Sequence, residues 1–145
     1  MPDEVDIVLR FCEEQWAQCR QSENQRATVT NFVITIAAGT LALMGANDFA
    51  SSSLPLAVFL FFLGAYGALT SAKLYERWKF NRNRARSCYR RIDRLRPRAQ
   101  LLQLRREADE AYRERLQPLR LHWLWLGLHI VVSLLGLLCV ITILV

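Results

Sequence analysis

No Lys or Arg occurs between Thr28 and Ala72, and Leu121–Val145 holds no charged residue of either sign. A soluble domain keeps charge spread over a wet surface, so these gaps exclude an ordinary soluble fold. Strand signals are also missing. There is no sustained period-two alternation and no Asn-Gly or Asp-Gly pair, which excludes hairpin-built sheets. Enzyme signatures are lacking: no Gly-rich phosphate loop, no His-Glu-x-x-His, no Gly-x-Ser-x-Gly and no paired carboxylates in an apolar setting. No catalytic residue and no cofactor are therefore expected. The spacing of Cys12, Cys19, Cys88 and Cys139 matches no zinc pattern, so no metal site is expected either. Cys12, Cys19 and Cys88 are expected to pack as small hydrophobes in a reducing compartment, with redox sensing as the alternative. The chain begins Met1-Pro2-Asp3-Glu4 and carries five acids by Glu14, which is the opposite of a signal peptide's basic start.

What the chain does have is three apolar runs, Thr28–Ala46, Leu54–Ala72 and Leu121–Val145. As helices they extend roughly 28, 28 and 37 Å, against a hydrocarbon core about 30 Å thick. Sixteen of the nineteen Lys and Arg residues lie between Lys73 and Arg120. Positive-inside bias then places the N-terminus and residues 73–120 in the cytosol, with the Asn47–Ser53 link and the C-terminus outside. The expected fold is all-α, an integral membrane bundle of three transmembrane helices with an amphipathic N-terminal helix and a cytosolic helical hairpin. The expected divisions are 1–27 (cytosolic amphipathic helix), 28–72 (transmembrane hairpin), 73–120 (basic cytosolic helices) and 121–145 (third span).

Along 3–27, the apolar set Val5, Val8, Leu9, Cys12, Trp16 and Cys19 predicts an amphipathic helix, with no Gly or Pro to separate it from the first span. In that span Thr28, Asn31, Thr35, Ala38 and Ala42 share one helical face. Polar side chains in a membrane turn toward protein or water, so this face reads either as an interhelical hydrogen-bonding seam or as a pore lining. Gly64, Ala68 and Ala72, and beside them Gly67 and Ser71, allow close helix approach in the second span, to a partner in the same chain or in another copy. Next comes a heptad stripe, Leu74, Trp78, Asn81, Ala85, Cys88, Ile92 and Leu95, flanked by Arg77, Arg84 and Arg91 at seven-residue spacing with Arg98 continuing the count. Pro97 should end that helix. A second is expected over 99–116, with Leu101, Leu104, Ala108 and Ala111 turned inward.

Residues 73–98 hold eleven Lys or Arg against the acids Glu76 and Asp93. Three partners suit them: lipid headgroups near Lys73, Arg77 and Lys79; the acidic N-terminal helix; or a soluble anion further along. A 26-residue helix extends about 39 Å, so an upright helix carries its last Arg residues several Debye lengths, each about 8–10 Å, from the bilayer. Arg also outnumbers Lys heavily, and its planar fork suits phosphate. Arg77, Arg82, Arg84, Arg91, Arg94 and Arg98 are the candidate anion or oligonucleotide ligands. Were copies to associate through the heptad stripe, an anion or the acidic helix would be needed to relieve Arg–Arg repulsion. The alternative is a solvated face that only sets topology. Tyr75, Trp78, Phe80 and Tyr89 suit either base stacking or an interfacial belt. His122 and His129 on the third span suit either a pH-sensing or pore role or a buried hydrogen bond. Candidate pore-lining residues are thus Thr28, Asn31, Thr35 and His129.

The strings Ser22-Glu23-Asn24-Gln25-Arg26-Ala27-Thr28, Ser71-Ala72-Lys73-Leu74-Tyr75-Glu76-Arg77 and Arg91-Ile92-Asp93-Arg94-Leu95, with the whole-chain layout, resemble small bacterial membrane proteins found beside anti-phage genes. They are similar to the Hailong-type channel effector and the SLATT-like family. The resemblance implies a homo-oligomeric pore that opens on infection, depolarises the cell and arrests growth. It further implies a nucleotide or DNA or RNA oligomer ligand made by a partner nucleotidyltransferase; in the Hailong case a DNA oligomer keeps the channel shut. It assigns no ligand residues. Two other readings remain: a phage holin-like pore protein, whose basic segment is usually a C-terminal tail, and a membrane-anchored adaptor or scaffold.

Overall fold

Forty-three residues without a proline give the first helix no reason to stop. In the computed structural model, which describes residues 3–113 and 121–145, α1 runs unbroken over Glu4–Ala46. Glu4 and Asp6 in its first turn complement the helix dipole. The amphipathic segment and the first apolar run are therefore one helix. It ends where Asp48 and Phe49 take left-handed backbone angles (φ 48° and 50°) and the Phe49 N–H donates to the Met44 carbonyl at 3.0 Å. A short 3-10 turn, Ser51–Ser53, leads into α2, Leu54–Leu95, with Pro55 in the first turn where its missing N–H costs nothing. Pro97 blocks further helix as expected. The turn Pro97–Ala99 and Gln100 (φ 47°) follow, then α3, Leu101–Arg113, and α4, Leu121–Leu144. The described residues contain no strand. Three helical stretches, Glu4–Ala46, Ser51–Leu95 and Leu121–Leu144, are long and apolar enough to cross a membrane.

The chain divides into two compact units, Met1–Glu23 with Glu76–Pro118, and Asn24–Tyr75 with Leu119–Val145. In the first, the start of α1 lies antiparallel to the end of α2. Asp3 meets Arg96, Cys12 meets Ala85, and Gln18 meets Arg77. The heptad stripe faces this helix: Asn81, Ala85, Cys88 and Ile92 are buried, while Leu74, Trp78 and Leu95 are half-buried. A subunit seam along that stripe is thereby corrected, because the chain's own α1 covers it. Leu9 was expected inward but is 42% exposed; Gln15, at the helical phase of Cys12 and Cys19, takes the interior place.

The third helix also departs from expectation. It starts at Leu101, because the Asp93 carboxylate accepts from the backbone N–H groups of Leu101 (2.8 Å) and Leu102 (3.0 Å). An acid on α2 thus caps α3, satisfying two of the donors every helix start leaves open. That cap sets the rotational phase. Leu101, Leu102 and Arg105 are half-buried, whereas Leu104 (63% exposed), Ala108 and Ala111 face out. The expected residues 114–116 lie outside those described.

In the second unit, α1 and α4 run parallel. The Arg26 guanidinium lies over the Trp125 ring at 5.2 Å, and one turn on in both helices Thr30 meets His129 at 3.1 Å. α2 runs antiparallel to α4 at very close range. A Cβ on Gly64 would overlap the Ser133 backbone, one on Gly67 the His129 ring, and one on Gly136 the backbone of Leu60 and Phe61. The Ser133 hydroxyl donates to the Phe61 carbonyl at 3.1 Å. The small-residue faces of the second span are thus used within the chain, at least at Gly64 and Gly67. Val33, Ala37, Leu60 and Val132 form the apolar core of this unit. At most 28% of each spanning helix's apolar window is covered by the chain itself, so most of that surface is left for lipid or other copies.

Gly136→Leu should destabilise the α2–α4 contact by at least about 1–3 kcal/mol, the usual cost of overpacking. Gly127→Ala, where a Cβ meets open space, should be nearly neutral. Denaturation in detergent micelles, comparing the two variants, checks the difference.

Candidate functional site

The six Arg residues singled out from the sequence do not converge on one point. Arg77 donates to Gln18 Oε1 at 3.1 Å, and Arg91 pairs with Glu4. Arg84 lies over the Phe80 ring at 4.4 Å, and Arg82 over Trp78 at 4.9 Å. Arg94 and Arg98 are exposed. Arg96, outside the original set, reaches Asp3 at 2.6 Å. The acidic helix therefore does lie alongside the basic one, with Glu4 on Arg91 and Asp3 on Arg96. The pairs are exposed, so each is weak and screened by salt. The Arg96 guanidinium holds the Asp3 carboxyl below its ordinary range. A depressed carboxyl pKa stabilises the fold at neutral pH and loses that contribution as pH falls through the folded-state value.

A tighter constellation forms where α2 meets α3. Tyr89 is its centre. Its hydroxyl accepts from Trp16 Nε1 at 2.8 Å on the α1 side, and its ring lies under Arg105 at 5.7 Å on the α3 side. Burial pushes the phenol's pKa up. The next turn of α2 places Arg86 near Arg105 and Asp109. Burial, then the positive charges of Arg82 and Arg105, lower the Arg86 pKa. Arg86 and Arg105 were missed because Arg86 falls outside the seven-residue repeat and Arg105 belongs to another helix. The one available signal was the i, i+4 spacing of Arg82 and Arg86, which puts both on one helical face.

The thiols of this unit behave as packing groups. Cys12 and Cys88 are buried against Ala85, and Cys19 donates to the Trp78 carbonyl at 3.7 Å. Burial first, with Glu23 adding, raises the Cys19 pKa; burial first, with Cys12 adding, raises that of Cys88. A raised pKa means little thiolate and low reactivity.

The first span presents two faces. Thr30, Val33, Ala37, Thr40 and Met44 point into the chain. Thr28, Asn31, Thr35, Ala38 and Ala42 point away from it, sharing one outward stripe. Thr28 donates to the Asn24 carbonyl at 2.9 Å. Among the described residues, no side-chain hydrogen-bond partner from the chain reaches Asn31 or Thr35. His129 does not belong with them. It is wholly buried, pressed against Gly67 and bonded to Thr30, so its expected place in a lumen between chains is corrected. The Thr30 hydroxyl gives its proton to the Arg26 carbonyl at 2.9 Å, so its oxygen accepts from His129 Nε2–H. The hydrogen-bond network thereby assigns the tautomer. His122 is half-buried and stacks on Tyr75 with ring centroids 3.7 Å apart.

Asp93→Ala should cost about 1–2 kcal/mol through the lost cap, and Asp93→Asn less. Thermal unfolding in detergent, with amide exchange across Leu101–Arg113, reads both. Cys19 and Cys88 should resist alkylation by iodoacetamide at pH 8 in the folded protein and react once it is denatured. No protein-family model, curated protein or solved structure matches the chain.

Proposed function

We propose that this chain is one subunit of a homo-oligomeric membrane channel, a growth-arresting effector of bacterial anti-phage defence gated by an anionic nucleotide or oligonucleotide on its basic cytosolic helices. The carrying observation is the outward polar stripe of α1. Asn31 and Thr35 sit within an apolar span, face away from their own chain and find no partner among its described residues. An unbonded amide in hydrocarbon costs several kcal/mol. Water in a lumen, or the same residue of a neighbouring copy, removes that cost, and a ring of subunits supplies both. The large uncovered fraction of each apolar window agrees with copies packing side by side. The surplus of Arg over the acids of α1 supports an anion on the cytosolic unit. Positive-inside bias supports a cytosolic N-terminus and basic segment with an outward C-terminus. The defence role rests on the resemblance in strings and layout.

Purification in detergent should give a mass of several subunits, and reconstitution should give discrete conductance. Asn31→Leu should change unitary conductance by about two-fold or more if the stripe borders the ion path. Phe32→Leu, on the neighbouring outward position, should leave it unchanged. A monomeric mass with no conductance would overturn the reading.

A further inference from the structure

The Arg82, Arg86 and Arg105 constellation differs from the rest of the basic surface. Among the described residues of this unit, the other positive side chains are exposed. Here the Nε of Arg86 is closed off from solvent, and no described residue accepts a hydrogen bond from it. Arg82, one turn earlier on α2, and Arg105 on α3 lie close enough for like-charge repulsion. Each flanking guanidinium is laid on an aromatic ring, Arg82 on Trp78 at 4.9 Å and Arg105 on Tyr89 at 5.7 Å. Stacking holds the planar forks in place while leaving the terminal N–H groups able to reach a ligand. Asp109 is an acid nearby; it pairs with Arg105 at 3.6 Å, its charge also acts on Arg86, and its side chain is 68% exposed. Among the described residues, three guanidiniums against one exposed carboxylate leave the cluster with two positive charges in excess.

A guanidinium N–H closed off from solvent without an acceptor is costly unless something anionic joins it. We infer that Arg82, Arg86 and Arg105 form a binding site for a phosphate group of a soluble nucleotide or short oligonucleotide, held between α2 and α3. The inference rests on the reading of the basic helices as a ligand face and narrows it to one place. It also gives the ligand a structural consequence. α3 is already tied to α2 at its start by the Asp93 cap. A phosphate bridging Arg86 and Arg105 ties it a second time, one turn further on, so occupancy should order α3 as a whole.

The test uses the full chain in detergent with pyrophosphate as probe and chloride at matched ionic strength as control. Pyrophosphate should raise the melting temperature and slow amide exchange across Leu101–Arg113, while chloride does neither. Arg86→Gln and Arg105→Gln should each weaken pyrophosphate binding about ten-fold or more, as loss of a charge-assisted, forked contact does. Arg20→Gln and Arg106→Gln should leave it within about two-fold, since general charge contributes little beyond screening. Arg86→Met should melt higher than the parent without ligand, because the unpaired Nε–H and the repulsion from Arg82 and Arg105 are gone, and should lose the pyrophosphate response. A lower melting temperature for Arg86→Met would show that a protein partner holds Arg86, and would overturn the proposal. Protection of α3 by phosphatidylglycerol vesicles but not by pyrophosphate would assign the cluster to lipid headgroups, and would also overturn it. Should Arg94→Gln or Arg98→Gln abolish binding while Arg86→Gln does not, the location is wrong but the wider ligand face stands. Should no phosphate probe bind while the reconstituted protein still conducts, the anion site falls and the channel remains.

Discussion

The close approach of α2 and α4 at Gly64, Gly67 and Gly136 is the contact on which the membrane-spanning part depends. Lipid tails are as apolar as the helices, so no hydrophobic force draws spans together; packing and interhelical hydrogen bonds do that work. The glycines allow contact at backbone range, and Ser133 adds a bond to the Phe61 carbonyl. Gly67 also makes room for His129, which in turn receives Thr30 of α1. This sequence of contacts rotates the first span. With Thr30 inward, the positions Val33, Ala37, Thr40 and Met44 follow it by helical period, and the polar stripe is forced outward.

The basic unit obeys a different balance. α1 supplies Asp3 and Glu4 to Arg96 and Arg91, at exposed positions where screening is strong. These pairs select the antiparallel register of α1 on α2 more than they stabilise it. The apolar contacts of Cys12, Ala85 and Cys88, and the Trp16–Tyr89 bond, hold the interface itself. Asp93 then spends its charge on the N-terminus of α3 instead of on a neighbouring Arg. The consequence is electrostatic: one of the two acids among residues 73–98 is committed to backbone donors, which leaves the positive charge of α2 correspondingly less compensated.

Helix limits and apolar runs were legible in the sequence because they depend on local rules. Pro97 stops a helix wherever it occurs, and an uncharged run of 25 residues, Leu121–Val145, needs no tertiary information to be read. Rotational phase was less legible. Leu104 and Ala108 follow a helical period, but the face they form is chosen by Asp93 on another helix. His129 could be narrowed only to the third span, since its burial depends on Gly67 and Thr30, separated from it in sequence by 62 and 99 residues. The Arg repeat drew attention to the exposed, heptad-spaced positions, whereas Arg86, whose Nε is closed off from solvent, lies off the repeat and is recognised only when α3 is in place.

Asn31 is the residue that most constrains what surrounds the first span. Thr28 already has an acceptor in its own helix at Asn24, and any threonine can turn its hydroxyl back to a carbonyl one turn earlier at little cost. An asparagine has two donors and a two-lone-pair acceptor, more than its own helix can satisfy. Facing lipid it would oppose insertion; facing copies of itself it specifies register and subunit number, as a single buried Asn does in coiled coils. Facing water it remains solvated. Asn31 is thus a poor fit to a lone chain in a bilayer and a good fit to an assembly. The small residues Ala38 and Ala42 on the same stripe permit neighbouring helices to come close along it. The polarity of this one side chain, together with the rotation imposed by His129, is what the proposed assembly would have to satisfy.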